Sequence, residues 1–326
     1  MQSVTGLSAS AHAYRRAYVL LALVVILWGA NWPVMKVALS SLPPLWFTVL
    51  RLLLGSGALF IAVGISGNLS RPGRPDLMQL VNGAVLQLAF YIGLINLGLQ
   101  FVPAGRASVL AYTTPLWVVP GALLFLGERL DRLKATGLVL GIAGVLVLFN
   151  PFAFDWSDAR VVGGNALLMA AALSWAMSML LVRGRPWHLT PFQLVPWQTL
   201  LAGLLMLPAA IFFEGWPTFA PTPVLLAALA YSGPICTGFC IWAVVSITRA
   251  LPAVTSSLAF LVVPVLGIAA ATLTLGEPLD LALLGGLALI LGGVALVARS
   301  DTRRAPAQPS VGHADALVRL GRSPHT

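Results

Sequence analysis

The sequence predicts an all-α polytopic membrane protein, with ten transmembrane helices arranged as two inverted five-helix repeats around a central cavity. Three observations lead there. Hydrophobic residues make up 59% of the 326-residue chain and charged ones 9%, whereas a soluble domain carries about 25% charged residues. No soluble fold hides so much apolar surface, so a bilayer must cover it. Secondly, one phrase is written twice. Pro103-Ala104, Ser108, Pro115, Gly127-Glu128, Leu130-Asp131, Gly137 and Gly144 reappear 149 positions later as Pro252-Ala253, Ser257, Pro264, Gly276-Glu277, Leu279-Asp280, Gly286 and Gly293. Thirdly, only the first copy is cationic. Arg129, Arg132 and Lys134 stand where the second copy has Pro278, Leu281 and Leu283. Loops rich in Lys and Arg stay cytoplasmic. Equivalent loops on opposite faces make the repeats inverted.

The elements follow in order. Residues 1–16 form a cytoplasmic N-terminal segment ending in Arg15-Arg16. The apolar run after it, 17–38, exceeds a signal-peptide core of roughly 7–15 residues and lacks a small-x-small cleavage site, so it is a retained span. Further runs fall at 44–66, 77–100, 102–126, 133–149, 163–182, 191–213, 223–247, 252–275 and 281–298. A helix needs roughly 20 apolar residues to cross the hydrocarbon. The first repeat therefore covers 17–149 and the second 163–298, with 299–326 a disordered cytoplasmic tail rich in polar residues and Pro. Trp28 with Trp175 and Pro44 with Pro191 align at offset 147 and later pairs at 149, so the second repeat gained two residues.

With the N-terminus inside, 15 of the 19 Lys and Arg residues fall in inner segments or the tail. Arg160 lies in an outer loop, while Lys36, Arg51 and Arg106 sit in or near outer span ends. Both termini are thus expected in the cytoplasm, with the chain multi-pass in the cell's inner (plasma) membrane. The net charge of +9 comes from short clusters between apolar runs, which suits membrane orientation and not phosphate-backbone binding. No nucleic-acid partner is expected. Phosphate loops and metal-ligand spacings are lacking, so no cofactor or metal is expected either. Cys236 and Cys240, spaced i, i+4 in an apolar run, read as two small apolar residues on one face.

Trp28-Gly29-x-Asn31, Pro44 followed by Arg51, and Gly127-Glu128 with Gly137 and Gly144, all in a chain with a second such half, resemble the EamA-type branch of the drug/metabolite transporter superfamily. The likeness covers about residues 17–298. It implies two inverted five-helix EamA repeats, a central cavity opened alternately to each side, and outward transport of small organic solutes. Aromatic or hydrophobic amino acid exporters are the nearest guess within that family.

The residues themselves lead to the same place. A cavity between inverted halves needs groups that tolerate water and hold a solute. The first span offers Trp28, Asn31, Trp32 and Met35 on one face, and its repeat partner Ser174, Trp175 and Ser178. The third span offers Gln87 and Tyr91, its partner Phe239 and Trp242; the fourth offers Ser108, Tyr112 and Trp117. Aromatics with a few polar groups suit an amphipathic organic molecule better than a bare ion. Trp46, Trp187 and Trp216 sit at span ends, where an interfacial belt is expected.

Arg51 stands seven residues into the second span. A cation there either attracts a substrate carboxylate or caps carbonyls of neighbouring helices. Lys36 and Arg106 are expected to snorkel outward, or to converge with Arg51 as an anion-attracting vestibule. Glu128 and Glu277 are read as structural, each favouring the positive end of the helix that follows. Pro115 and Pro264 remove backbone donors at equivalent places, freeing the carbonyls of Ala111 and Phe260, and are hinge candidates. Gly137, Gly141, Gly144, Gly286 and Gly293 allow close helix contact, either within the chain or in a homodimer.

The partners expected are a small-molecule substrate and the lipid bilayer. Mid-span carboxylates are missing, so proton coupling has no visible carrier, and facilitated efflux or exchange is simpler. A multidrug or nucleoside/sugar carrier is the rival within transport. A membrane enzyme would call for clustered Asp, Glu or His, whereas His12, His188, His313 and His325 are scattered. No enzymatic activity is expected, and a scaffold has no need of duplicated cavity-lining faces.

Overall fold

A computed structural model describes residues 2–125, 131–149, 157–182, 188–217, 219–250, 260 and 262–304, and among these every regular element is helical. In chain order they are α1 (Gln2–Ala38), α2 (Pro44–Ile65), α3 (Arg74–Leu99), α4 (Ala104–Phe125), α5 (Arg132–Phe149), α6 (Ala159–Val182), α7 (Pro191–Glu214), α8, α9 (Val262–Leu275) and α10 (Leu281–Arg304). α8 comprises Pro223–Ala230, Tyr231–Phe239 and Cys240–Ala250. Among the described residues, seven helices are long and apolar enough to cross a membrane: Arg16–Ala38 of α1, α2, α3, α4, Ala159–Leu181 of α6, α7, and Pro223–Val244 of α8. α9 and Leu281–Val297 of α10 are shorter apolar helices. The chain is a multi-span membrane protein.

Local chemistry sets the boundaries. Pro44, Pro191 and Pro223 open α2, α7 and α8, where a missing N–H costs nothing and φ is already helical. Thr190 accepts from the Gln193 amide in a capping box. Asp131 and Asp280, equivalent at offset 149, cap α5 and α10 by accepting from the amides of Lys134 (2.8 Å) and Leu283 (2.5 Å). Two expected boundaries moved. Helix α1 runs back to Gln2 through the N-terminal segment, and α10 continues to Arg304 into the expected tail.

The duplication is visible in details that the sequence did not suggest. Both α3 and α8 contain a π-helical stretch, Gly83–Phe90 and Tyr231–Phe239, whose last residues lie 149 apart. Helix pairings also come in exchange-related sets. α2 packs on α7 and α5 on α10; the π stretch of α8 packs on α2 as that of α3 does on α7; α1 packs on α9 as α6 does on α4. The self-paired helices run antiparallel. Gly137 meets Gly293 while Gly144 meets Gly286 across α5 and α10, and the glycine stripe is consumed within one chain. Across α2 and α7, Trp46 bonds Gly215 while Ser56 bonds Pro196.

Helix α4 does not kink at Pro115 as expected. It stops at Ala111 and restarts at Thr114, so Pro115 lies in a first turn that needs no donor. The freed Ala111 carbonyl accepts from the Thr114 hydroxyl at 3.2 Å. Pro264 lies within α9, and its carbonyl is 3.5 Å from the Ser108 hydroxyl. The segment carrying Glu128 and the one carrying Trp187 lie outside the described residues.

Candidate functional site

The described residues form three hydrophobic clusters, and aromatic side chains stand where they meet. Trp28, Tyr91, Tyr112 and Trp242, all expected in the site, are partly buried and each borders two of the three clusters. Aromatic contacts extend the group. Tyr91 meets Trp175 edge-on at 4.5 Å, Trp28 meets Phe260 at 6.0 Å, and Trp242 contacts Phe239 at 5.7 Å. Tyr112 lies within electrostatic reach of Tyr91. Helices from both halves therefore converge on one aromatic cluster.

The polar tips divide into two kinds. Some are tied. The Trp28 indole donates to the Cys236 carbonyl at 3.0 Å, and the Ser232 hydroxyl donates to the Asn31 side chain at 2.9 Å. Both join α1 to the π stretch of α8. In the other half, Asn82 donates to the Ser178 hydroxyl at 2.8 Å and the Ser174 hydroxyl to the Leu86 carbonyl at 2.8 Å, which joins α6 to α3. Asn31 and Ser178 are thus buried ties between helices. Trp32 is buried too, its ring against Gly267. Others are untied. The Tyr91 and Tyr112 hydroxyls, the Gln87 amide and the Trp175 and Trp242 indoles hold no hydrogen bond among the described residues, and the buried Trp117 indole N–H has no partner there. A buried donor without a partner costs about 1–3 kcal/mol, and of these tips only the Trp117 indole N–H is fully buried.

Arg51 is 5% exposed. Its Nε donates to Thr237 Oγ1 at 3.0 Å, Nη1 reaches Met35 Sδ at 3.0 Å, and the guanidinium stands 5.8 Å from the Phe47 ring centre. None of these groups is an acid, and Tyr91 lies within electrostatic reach. Its repeat partner Gln198 grips the Gln79 carbonyl just before the π stretch of α3, at 2.8 Å. The two equivalent residues each reach the corresponding helix of the other half, at non-equivalent positions, and only one is charged. A buried cation needs five donors satisfied, and the described residues provide an oxygen and a sulfur.

The remaining expectations were redirected. Lys36 does not snorkel; its Nζ binds the carbonyls of Leu99 (2.5 Å), Gln100 (3.2 Å) and Val102 (2.9 Å) at the end of α3. Arg106 lies within electrostatic reach of Asp280. Lys36 is likewise within electrostatic reach of Glu277, so these two cations lie near the Glu277–Asp280 turn. Glu277 caps a different helix from the one that follows it. Its oxygens accept from the amides of Ala104 (2.6 Å) and Gly105 (2.8 Å) at the start of α4. Gly276, at φ 67°, turns the chain so that the carboxylate reaches there. Trp46, expected at the interface, is buried and donates to the Gly215 carbonyl at 2.8 Å.

Sequence reasoning missed Glu214, which accepts from the amides of Leu45 (2.9 Å) and Trp46 (3.0 Å) and so caps α2. It missed Ser232 and Thr237 as well. Pro234 in the middle of an apolar run was the available sign that α8 departs from α-helical winding. A cleft of about 950 Å³ lies apart from the aromatic cluster, between the Ser40–Leu45 turn, α3 and α7. It is mostly apolar and lined by Phe90, Leu94, Met206 and Phe213, and none of the expected binding residues reaches it.

Comparison with known proteins gives the site its setting. The model of the EamA-like transporter family matches residues 15–150 and again 162–299. A "Probable amino-acid metabolite efflux pump" of Salmonella typhimurium is 33% identical over 293 residues, covering 83% of this chain and 91% of that protein. A "Probable terminal-alkyne amino-acid exporter" of Streptantibioticus cattleyicolor is 32% identical, covering 87% and 94%. "Uncharacterized transporter YoaV" of Bacillus subtilis is 28% identical, covering 86% and 96%. A crystal structure with 22% identity, covering 90% of this chain and 99% of its own, superposes with a TM-score of 0.61, which speaks for the fold.

Proposed function

The chain belongs to the EamA-like transporter family, and we propose that this membrane transporter exports neutral or aromatic amino acids through the aromatic cluster by alternating access. It is read as ten spans in two inverted repeats within the plasma membrane, with both termini cytoplasmic. The antiparallel packing of α2 on α7 and of α5 on α10 supports inversion. The excess of Lys and Arg in alternate loops supports the orientation.

One observation carries the solute class. Among the described residues, a buried guanidinium without an acidic partner stands beside half-buried aromatic rings whose polar tips are untied. Arg51 takes the solute carboxylate, because a fork of N–H donors matches two carboxylate oxygens. Tyr91, Trp175, Trp28 and Trp242 take the apolar side chain, with Tyr112, Gln87 and Trp117 offering hydrogen bonds. A permanently cationic solute would meet repulsion at Arg51 and no compensating carboxylate among these residues. The relatives named for amino-acid export fit this chemistry.

The test is counterflow in liposomes with labelled amino acids, their amides, nucleosides and cationic dyes. Exchange of aromatic or aliphatic amino acids over their amides is the expected result. Exchange of dyes or nucleosides alone would replace this reading with the multidrug or nucleoside/sugar one.

A further inference from the structure

Several threonine hydroxyls inside these helices turn back to a carbonyl of their own helix, and one reaches further than the others. Thr48, Thr136, Thr199 and Thr274 each donate to the carbonyl four residues earlier, the reach that α-helical winding allows. Thr237 donates instead to the carbonyl of Ser232, five residues earlier, at 2.7 Å. It stands in the π stretch of α8, Tyr231–Phe239, whose wider winding brings the fifth carbonyl back into line. With its proton committed there, the oxygen has only lone pairs to offer. They meet Arg51, whose Nε donates to Thr237 Oγ1 at 3.0 Å.

Both partners are held in place. Helix α2 lies so close to the π stretch that a Cβ on Gly55 would stand 2.9 Å from the Gly233 carbonyl oxygen and 3.2 Å from Thr237 Cβ. From the other side, α1 ties the same stretch. The Tyr231 hydroxyl donates to the Leu27 carbonyl at 2.9 Å, the Ser232 hydroxyl to Asn31 Oδ1 at 2.9 Å, and the Trp28 indole to the Cys236 carbonyl at 3.0 Å. The winding does not depend on the Thr237 hydroxyl. The π stretch of α3, Gly83–Phe90, has Leu88 where α8 has Thr237, and faces Gln198 in place of Arg51. The hydroxyl accompanies the charge and is missing where the charge is missing.

We infer that Thr237 is a positioning residue for solute recognition: by occupying the Arg51 Nε–H, it leaves the Nη1–Nη2 edge as the two-pronged face for a carboxylate. A guanidinium offers a carboxylate two forks, Nε with Nη2 and Nη1 with Nη2. Thr237 closes the first. On the second, among the described residues, stands the Met35 sulfur at 3.0 Å from Nη1, a weak acceptor that a carboxylate oxygen displaces. Because the guanidinium is planar, tying Nε also sets the plane in which the open edge lies. A solute carboxylate is then met in one orientation, without the entropy of searching for it. This rests on the reading of Arg51 as the carboxylate site.

Counterflow KM and maximal rate are measured for an aromatic amino acid and for its amide. Thr237→Val keeps the shape and removes the hydroxyl; Thr237→Ser keeps the hydroxyl. Thr237→Val is expected to raise the KM of the acid about ten-fold, with the amide and both maximal rates unchanged, and Thr237→Ser to behave as the parent. Combined with Arg51→Gln, Thr237→Val should raise the KM of the acid no further. Equal losses for acid and amide, or an equal loss in Thr237→Ser, would reduce Thr237 to a tie between helices and overturn the inference. The two readings fail separately. If Arg51→Gln treats acid and amide alike, or the parent exchanges neither, the carboxylate site itself is removed and the positioning role with it. If Arg51→Gln weakens the acid alone while Thr237→Val leaves it untouched, only the positioning role falls. Should Thr237→Val fail to insert, Thr237→Ala takes its place, and failure of both would make the hydroxyl a structural tie.

Discussion

Gly137 and Gly293 face each other across antiparallel helices with no space for a methyl group, since a Cβ on Gly137 would stand 2.6 Å from the Gly293 carbonyl oxygen. Gly144 and Gly286 repeat the contact one turn pair away. Gly137→Ala should therefore destabilise the α5–α10 pair by about 1–3 kcal/mol, as overpacking does, seen as a lower Tm in detergent. Gly57→Ala is the comparison, because a Cβ there meets nothing within 4 Å. An unchanged Tm for Gly137→Ala would mean that the two helices are not in close contact.

Arg51→Gln copies the repeat partner Gln198 into the first half. The expected result is a KM for amino acids raised roughly 10–100-fold, the loss of one charge-assisted pair, with the amides of the same amino acids unaffected. Equal losses for acids and amides would make Arg51 a structural tie to Thr237 instead.

Tyr91→Phe and Tyr231→Phe separate function from structure. The Tyr91 hydroxyl holds no bond among the described residues, so its removal should leave stability within about 0.5 kcal/mol while altering flux. The Tyr231 hydroxyl donates to the Leu27 carbonyl at 2.9 Å, and its loss should cost about 1 kcal/mol. Tm and counterflow on both variants decide the matter.

Glu214→Gln weakens a cap of two amides, at 2.9 and 3.0 Å. A fall of about 1–2 kcal/mol in stability is expected, measured by thermal unfolding, with solute selectivity unchanged. A change of selectivity would place Glu214 in the transport path.

Pro115→Ala should be nearly silent, within about 0.5 kcal/mol, because Pro115 lies in the first turn of its helix and breaks no hydrogen bond. Slower exchange at unchanged Tm would restore the hinge that its position in the sequence suggested.

Much of the fold was legible because it depends on patterns along the chain. Hydrophobic run length marks spans, and the offset of 149 marks the repeat whose π stretches, Asp caps and glycine contacts then recur in pairs. Less of the site was legible. Trp28, Tyr91, Tyr112 and Trp242 were chosen by helix face and do converge. Asn31 and Ser178 were chosen on the same grounds, yet their partners Ser232 and Asn82 lie 201 and 96 positions away. A helix face says which way a side chain points and not what meets it.

The sequence alone determined that this chain lives in a bilayer, that it is a doubled unit, and which family it joins, since apolar length and repeat identities are properties of the chain itself. Only the tertiary structure decided which carboxylate caps which helix, that α4 is broken beside Tyr112, and that Arg51 is buried against Thr237 and Met35. Those depend on distances between segments far apart in sequence, such as the 173 positions between Ala104 and Glu277, and packing alone brings them within hydrogen-bonding range.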